Sequence, residues 1–163
     1  MQKIYLIRHT AVKLNGKYFY GQTDVPLATS FPDEASRIRS LLPESVDFPF
    51  WCSPLSRCRL PADRLEVNYT LDDRLKELNF GEWEMKPFED IPDEVRKQYL
   101  ANFTRINPPG GEGFPQLQKR AVEVLEEILT NDHPELGIVA HSGVIRSMLC
   151  HVMGLPLENT YRF

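Results

Sequence analysis

Three short apolar runs, at residues 3–7, 48–52 and 136–140, are continuous rather than alternating, and each passes directly into polar residues. A strand with one wet face alternates; a continuous run is what a strand needs when both faces of its sheet are covered. Segments with helical spacing separate the runs. The pattern therefore predicts an α/β fold, a three-layer α/β/α sandwich around a mostly parallel sheet. The first run, KIYLI, is expected at the centre of that sheet, and a further short strand is expected at 70–75.

The helical segments carry their own signals. Ser30 can cap a helix that presents Ala35, Ile38, Leu41 and Leu42 on one face, with Pro43 as its stop. Phe114, Leu117, Ala121, Val124, Leu125 and Ile128 recur at three- and four-residue intervals, the clearest amphipathic pattern in the chain. Ser142 can cap a third helix running to Val152, with Gly154 and Pro156 beyond it. Residues 79–111 read differently. NFGEWEMKPFED and RINPPGGEGF are rich in turn formers and bracket an expected helix at 92–103. This stretch is expected to form a partial lid or side wall within a single domain covering 1–163, because segments inserted beside a crevice commonly carry specificity.

Composition narrows the function classes. With 163 residues the chain can bury roughly 70% of its unfolded surface without disulfides or a structural metal. No apolar stretch approaches the roughly 20 residues of a membrane span. The first run is too short for a secretory signal, so a cytoplasmic protein is expected. A net charge of −4 argues against a broad nucleic-acid or acidic-membrane surface, so any basic site must be local. Cys52, Cys58 and Cys150 show no C-x-x-C spacing and read as reduced, buried thiols.

In parallel α/β sheets the functional crevice lies beyond the carboxyl ends of the strands. Arg8 and His9 follow the first run, CSPLSRCR with Arg57 and Arg59 follows the second, and AHSGVIR with His141 follows the last. Alone, Arg-His is a chance pair, Arg57 a helix-surface charge like Arg59 and Arg64, and Glu77 a solvated acid. Delivered in order to one edge, they point to a site. Arginine does not ligate metals and repels cations, and neither histidine has an acid beside it at its strand end. The cluster instead suits an anion: guanidiniums match phosphate oxygens bidentately, and the helix start at Ser142 adds backbone N–H groups.

With a phosphoryl group held there, a neutral imidazole can attack in line to form a phosphohistidine, which water then hydrolyses. Both steps need a group that gives and then takes a proton near the leaving oxygen. RLKELNFGEWE offers Glu77, Glu82 and Glu84. Glu77 is the better placed, after a short strand and before an apolar-aromatic stretch that can desolvate it and raise its pKa. A cysteine phosphatase loop needs five residues between cysteine and arginine, whereas four separate Cys52 from Arg57. GGEGF lacks the ending of a nucleotide-binding P-loop, and no Gly-x-Ser-x-Gly elbow is present.

LIRHT, GQTDVPL, CSPLSRCRLPA, RLKELNFGEWE, PPGGEGF and VAHSGVIR together resemble the histidine phosphatase superfamily, with its phosphoglycerate-mutase-like fold, colinearly and over almost the whole chain. The resemblance implies a phosphohistidine phosphomonoesterase that needs no metal and no other cofactor. It implies His9 as nucleophile; Arg8, Arg57 and His141 as the phosphate pocket; Glu77 as proton donor; Gln22 and Thr23 beside the substrate; and a backbone N–H from Ser142. Within the family the chain looks most like alpha-ribazole phosphatases, which implies alpha-ribazole 5′-phosphate of cobalamin nucleotide-loop assembly as substrate.

The implied partner is a small-molecule phosphate ester, with no nucleic acid and no membrane; a homodimer is a further expectation. The chain departs from the family at Thr10, Ala11 and Val12, where Gly, Glu or Gln, and Thr are usual, and the Thr10 hydroxyl can replace a lost phosphate contact. It departs again at Pro61 and Met85. Relatives usually continue into further strands beyond LENTYRF, which implies an open sheet edge here. Other readings compatible with these residues are a phosphohistidine-protein phosphatase, a phosphoglycerate mutase, another small-molecule phosphatase, or a non-enzymatic anion-binding module that kept the pocket.

Overall fold

A computed structural model describes residues 2–14 and 16–163. Four strands, β1 (Lys3–Arg8), β2 (Phe50–Cys52), β3 (Tyr69–Leu71) and β4 (Glu135–Ala140), form one parallel sheet in the order β1-β4-β2-β3. Among the described residues five α-helices accompany it: α1 (Phe31–Leu41), α2 (Ser56–Arg64), α3 (Asp93–Ala101), α4 (Phe114–Leu129) and α5 (Ser142–Val152). No helix among the described residues is long and apolar enough to cross a membrane.

Alternate residues of the strands serve two cores, which is why the runs are continuous in sequence. Leu136, Ile138 and Ala140 pack with Leu117, Val124, Ile128, Val144 and Met148 of α4 and α5. Val139, Ile7, Phe50 and Cys52 pack on the opposite face with Cys58 and Ala62 of α2 and with Ile38 of α1. Every apolar residue in the predicted stripe of α4 is buried. In β4, Gly137 lies opposite Phe50, where a Cβ would sit 2.1 Å from the phenyl ring, so the central strand has no room for a larger residue.

The structure corrects several expectations. The centre of the sheet is β4 and β2; β1 pairs only with β4 among the described residues. A continuous apolar run reports two covered faces, and says nothing about two paired edges. Leu41 is 81% exposed, because α1 ends there and Leu42 turns into the core in an extended conformation. Ser30 makes no capping bond; its hydroxyl donates to Glu34 instead. The second run pairs only from Phe50, after Pro49. The strand expected at 70–75 is Tyr69–Leu71, after which the Asp72 carboxylate accepts from the Arg74 amide and starts a tight turn at Asp73–Leu75.

Parallel pairing places Arg8 beside Ala140 and Cys52 beside Val139. The ladder continues past the strand ends: His9 N donates to Ala140 O at 3.0 Å and Ser53 N to Val139 O at 3.0 Å. Residues 9, 53 and 141 therefore leave the sheet side by side.

Candidate active site

His9 is 8% exposed, and its Nδ1 lies 2.7 Å from its neighbour's carbonyl, Thr10 O. A carbonyl only accepts, so Nδ1 carries the hydrogen and Nε2 keeps its lone pair. Burial, reinforced by the Arg57 and Arg8 charges against the Thr10 bond, lowers the His9 pKa to about 4. The ring is therefore neutral near pH 7, the state a nitrogen nucleophile requires.

His141 is fully buried, with its ring 5.2 Å from that of His9. Arg57 Nε donates to its Nδ1 at 3.3 Å, which leaves Nε2 to carry the hydrogen and donate to Ser53 Oγ at 2.8 Å. Burial, and after it the Arg57 charge, push its pKa well below the usual histidine range. His141 rather than Ser142 is the N-cap of α5, and its side chain makes no capping bond. The N-terminus is met instead by Glu77, whose Oε2 accepts from Gly143 N at 3.1 Å. Its Oε1 accepts from Leu78 N at 2.9 Å. Leu78 and Phe80 supply the expected apolar neighbours in the cleft, but the carboxylate itself is held by amides.

Arg57, in the first turn of α2, is fully buried without a carboxylate within salt-bridge distance among the described residues. Nη1 donates to Thr23 O at 2.9 Å, Nη2 donates to Gly21 O, and Nε donates to His141. A guanidinium has five N–H groups, so two have no partner among the described residues. Desolvation lowers its pKa, but arginine retains its charge. A buried cation whose partners are neutral is a strong demand for an anionic ligand. Arg8, exposed at the end of β1, lines the same cleft as His9.

The cleft holds about 220 Å³ and is lined by Arg8, His9, Glu77 and Ser142, with Gly143 behind them. Its remaining wall is largely aromatic, including Tyr18, Tyr20, Phe80, Phe88, Tyr99 and Tyr161. Arg146 also borders it, its guanidinium 5.7 Å from the Tyr161 ring. Of the aromatic residues in 79–111, Phe80, Phe88 and Tyr99 reach the cleft, whereas Trp83 and Phe103 are buried in the core. Arg57 and His141, both fully buried, do not line the cleft, and neither do Gln22 and Thr23, which brace it. Gln22 Nε2 donates to Glu77 O at 3.2 Å, and the Thr23 carbonyl holds Arg57.

Two residues in this scaffold have roles that the sequence does not assign, Glu84 reading there only as a candidate proton donor. Glu84 accepts from the amides of Gly21, Gln22, Thr23 and Phe80, so one carboxylate folds the loop that supports Arg57. Asp24 accepts from Ser56 N at 3.0 Å and Ser56 Oγ at 2.8 Å, and so caps α2 from outside the helix. A carboxylate three residues after a glycine-led turn is a capping signal, but the helix it caps lies 32 residues on. Among the described residues no group of three or more acidic, histidine or cysteine side chains is placed to hold a metal ion.

The sequence model of the histidine phosphatase superfamily (branch 1) matches residues 4–163. A Hydrogenobacter thermophilus protein whose name assigns it provisionally to the phosphoserine phosphatases is 30% identical over 170 residues, covering 99% of this chain and 83% of that one. The adenosylcobalamin/alpha-ribazole phosphatase of Escherichia coli K12 is 27% identical over 172 residues, covering 99% and 84%. The crystal structure of the alpha-ribazole phosphatase from Shigella flexneri superimposes with a TM-score of 0.87 at 24% identity, over 98% of this chain and 84% of that one.

Proposed function

Because the chain belongs to the histidine phosphatase superfamily, we propose that it hydrolyses phosphate monoesters through a phosphohistidine on His9. The observation that carries this reading is a buried, neutral imidazole with Nε2 free, beside a buried arginine with two uncommitted N–H groups. Arg57 and Arg8 bind the phosphoryl oxygens. His141 joins them by turning its Nε2–H from Ser53 Oγ to the ligand, and the free N–H of Ser142 adds a further donor. Gln22 and Thr23, which the resemblance put beside the substrate, act instead by bracing Glu77 and Arg57.

In the first step the Nε2 lone pair forms a bond to phosphorus as the ester P–O bond breaks, and the leaving oxygen takes a proton from Glu77. In the second, water attacks phosphorus and gives its proton to the Glu77 carboxylate. The P–N bond then breaks to return neutral His9 and inorganic phosphate. Charge development is met by fixed donors, so no metal is needed for either step.

The substrate of this reading is alpha-ribazole 5′-phosphate, and 79–111 serves as the side wall that receives it. The aromatic lining suits a flat base, which can stack on Tyr20, Phe88 or Tyr99, and relatives from two genera carry that activity in their names. The test is kcat/KM across alpha-ribazole 5′-phosphate, phosphoserine and 3-phosphoglycerate. A preference of at least about tenfold for the first, about 1.4 kcal/mol in transition-state binding, supports the assignment. A preference for either carboxylated ester overturns it, and dependence on a diphosphorylated cosubstrate would identify a mutase.

A further inference from the structure

We propose that Arg120 is a positioning residue for Glu77, holding the backbone on which the proton donor is mounted; the inference rests on the reading of Glu77 as that donor. Arg120 projects from α4, distant in sequence from every strand end, and its side chain is 17% exposed. Nη1 donates to Arg74 O at 2.6 Å and to Lys76 O. Nη2 donates to Glu77 O at 3.0 Å and to Glu112 Oε1, and Nε donates to Glu112 Oε2 at 3.1 Å. All five N–H groups of the guanidinium are thus committed, and three of them hold carbonyls of the segment 74–77.

The other partner extends the brace. Glu112 is held side-on by Arg120, and its Oε1 also accepts from Asn79 N at 3.0 Å. Backbone bonds from Glu82 N to Pro109 O and from Glu112 N to Asn79 O lace the two ends of the 79–111 stretch together. Arg120 therefore ties α4, the Glu77 segment and the base of the aromatic wall at one point. On the far side of Glu77, its carboxylate rests on the amide of Gly143. The side chain is fixed between α4, through its backbone, and α5, through its oxygens.

That arrangement has a chemical consequence. The proton must travel to the leaving oxygen while the His9–phosphorus bond forms, and a displacement of about 1 Å in a reacting group can cost about 10²-fold in rate. An ester with a good leaving group needs little protonation and tolerates the displacement. A poor leaving group does not.

The experiment measures kcat/KM for wild type, Arg120→Gln, Arg120→Lys, Glu112→Gln and Glu77→Gln on 4-nitrophenyl phosphate, phenyl phosphate and an alkyl phosphate. It also measures inhibition by inorganic phosphate. The expected result is that Arg120→Gln loses about 10²-fold on the alkyl ester but far less on the nitrophenyl ester, with phosphate inhibition held within about twofold. Arg120→Lys should fall between, since lysine has three donors and no fork. In a Glu77→Gln background, Arg120→Gln should cost nothing more, because the two act through one group. Equal loss on all esters, or full additivity with Glu77→Gln, overturns the proposal. If Arg120→Gln does not fold, Glu112→Gln decides by the same slope. Uniform slowing by Glu77→Gln itself would overturn the proton-donor reading instead, whatever Arg120 does.

Discussion

Arg57 donates its Nε–H to Nδ1 of His141 at 3.3 Å, across 84 residues of sequence, and this bond sets the tautomer of a fully buried imidazole. The guanidinium also carries the loop at Gly21 and Thr23 on its other side. One side chain thus orients the second histidine, shapes a loop and still has two N–H groups without a partner among the described residues. Arginine suits the role because its planar fork can do all three at once.

Arg57→Lys keeps the charge and loses the fork. We expect kcat/KM on an aryl phosphate to fall by about 10²- to 10³-fold, with weaker inhibition by inorganic phosphate. A melting curve should show lower stability as well, since the Gly21 and Thr23 carbonyls lose donors. Near-wild-type kinetics in the lysine variant would remove Arg57 from the phosphate pocket.

Gly143 is the point where α5 meets Glu77. A Cβ there would lie 2.4 Å from Glu77 Oε1 and 3.2 Å from Leu117 Cδ2. The helix cannot retreat from the core, so the carboxylate must move. Gly143→Ala should therefore slow esters with poor leaving groups by at least about tenfold more than 4-nitrophenyl phosphate. The same loss on both esters would show that the glycine serves packing alone.

The two buried histidines make the fold sensitive to acid. His9 titrates near 4 in the folded chain, against about 6.5 unfolded, and His141 is displaced in the same direction. Between these values the unfolded chain binds protons that the folded chain refuses, so stability falls as pH drops from about 6.5 toward 4. The full span for His9 is on the order of 3 kcal/mol. Above pH 6.5 neither group adds a slope. Urea midpoints at several pH values between 7 and 5 should fall more for wild type than for His9→Gln, whose amide does not titrate. Parallel slopes would contradict the neutral, desolvated state assigned to His9.

Thr10 is 3% exposed and its Oγ1 has no hydrogen-bond partner among the described residues. An unmet buried hydroxyl costs about 1–3 kcal/mol unless something satisfies it. Thr10→Val keeps the shape and removes the hydroxyl, so the ligand-free protein should be equally or more stable in thermal unfolding. If the hydroxyl serves the phosphate, inhibition by inorganic phosphate should weaken severalfold. Unchanged inhibition would assign Thr10 to packing only.

Much of this arrangement was legible in the sequence because it rests on local signals. Continuous runs reported two covered faces, the spacing from Phe114 to Ile128 reported the buried stripe of α4, and polar residues directly after three runs reported the sheet edge at which the candidate site lies. What stayed hidden depends on contacts between distant segments. Nothing near residue 4 says that β1 pairs on one side only, since edge position is a property of the assembled sheet. Glu84 read only as a lesser candidate proton donor beside Glu77, and its bonds to the amides of Gly21, Gln22 and Thr23 depend on a loop 61–63 residues away. Arg120 sits in a helix with no chemical signature and Glu112 in a motif, PPGGEGF, that carried the resemblance without a role for its acid; only their convergence on residues 74–79 gives them one.

The central claim is that a phosphoryl group passes through His9, and rapid quench with a labelled aryl phosphate tests it most directly. The account predicts one acid-labile, base-stable phosphoryl group per chain, mapped to His9, forming and decaying within a turnover, and absent from His9→Ala along with hydrolysis. Label on another residue, or turnover that survives in His9→Ala, would contradict it.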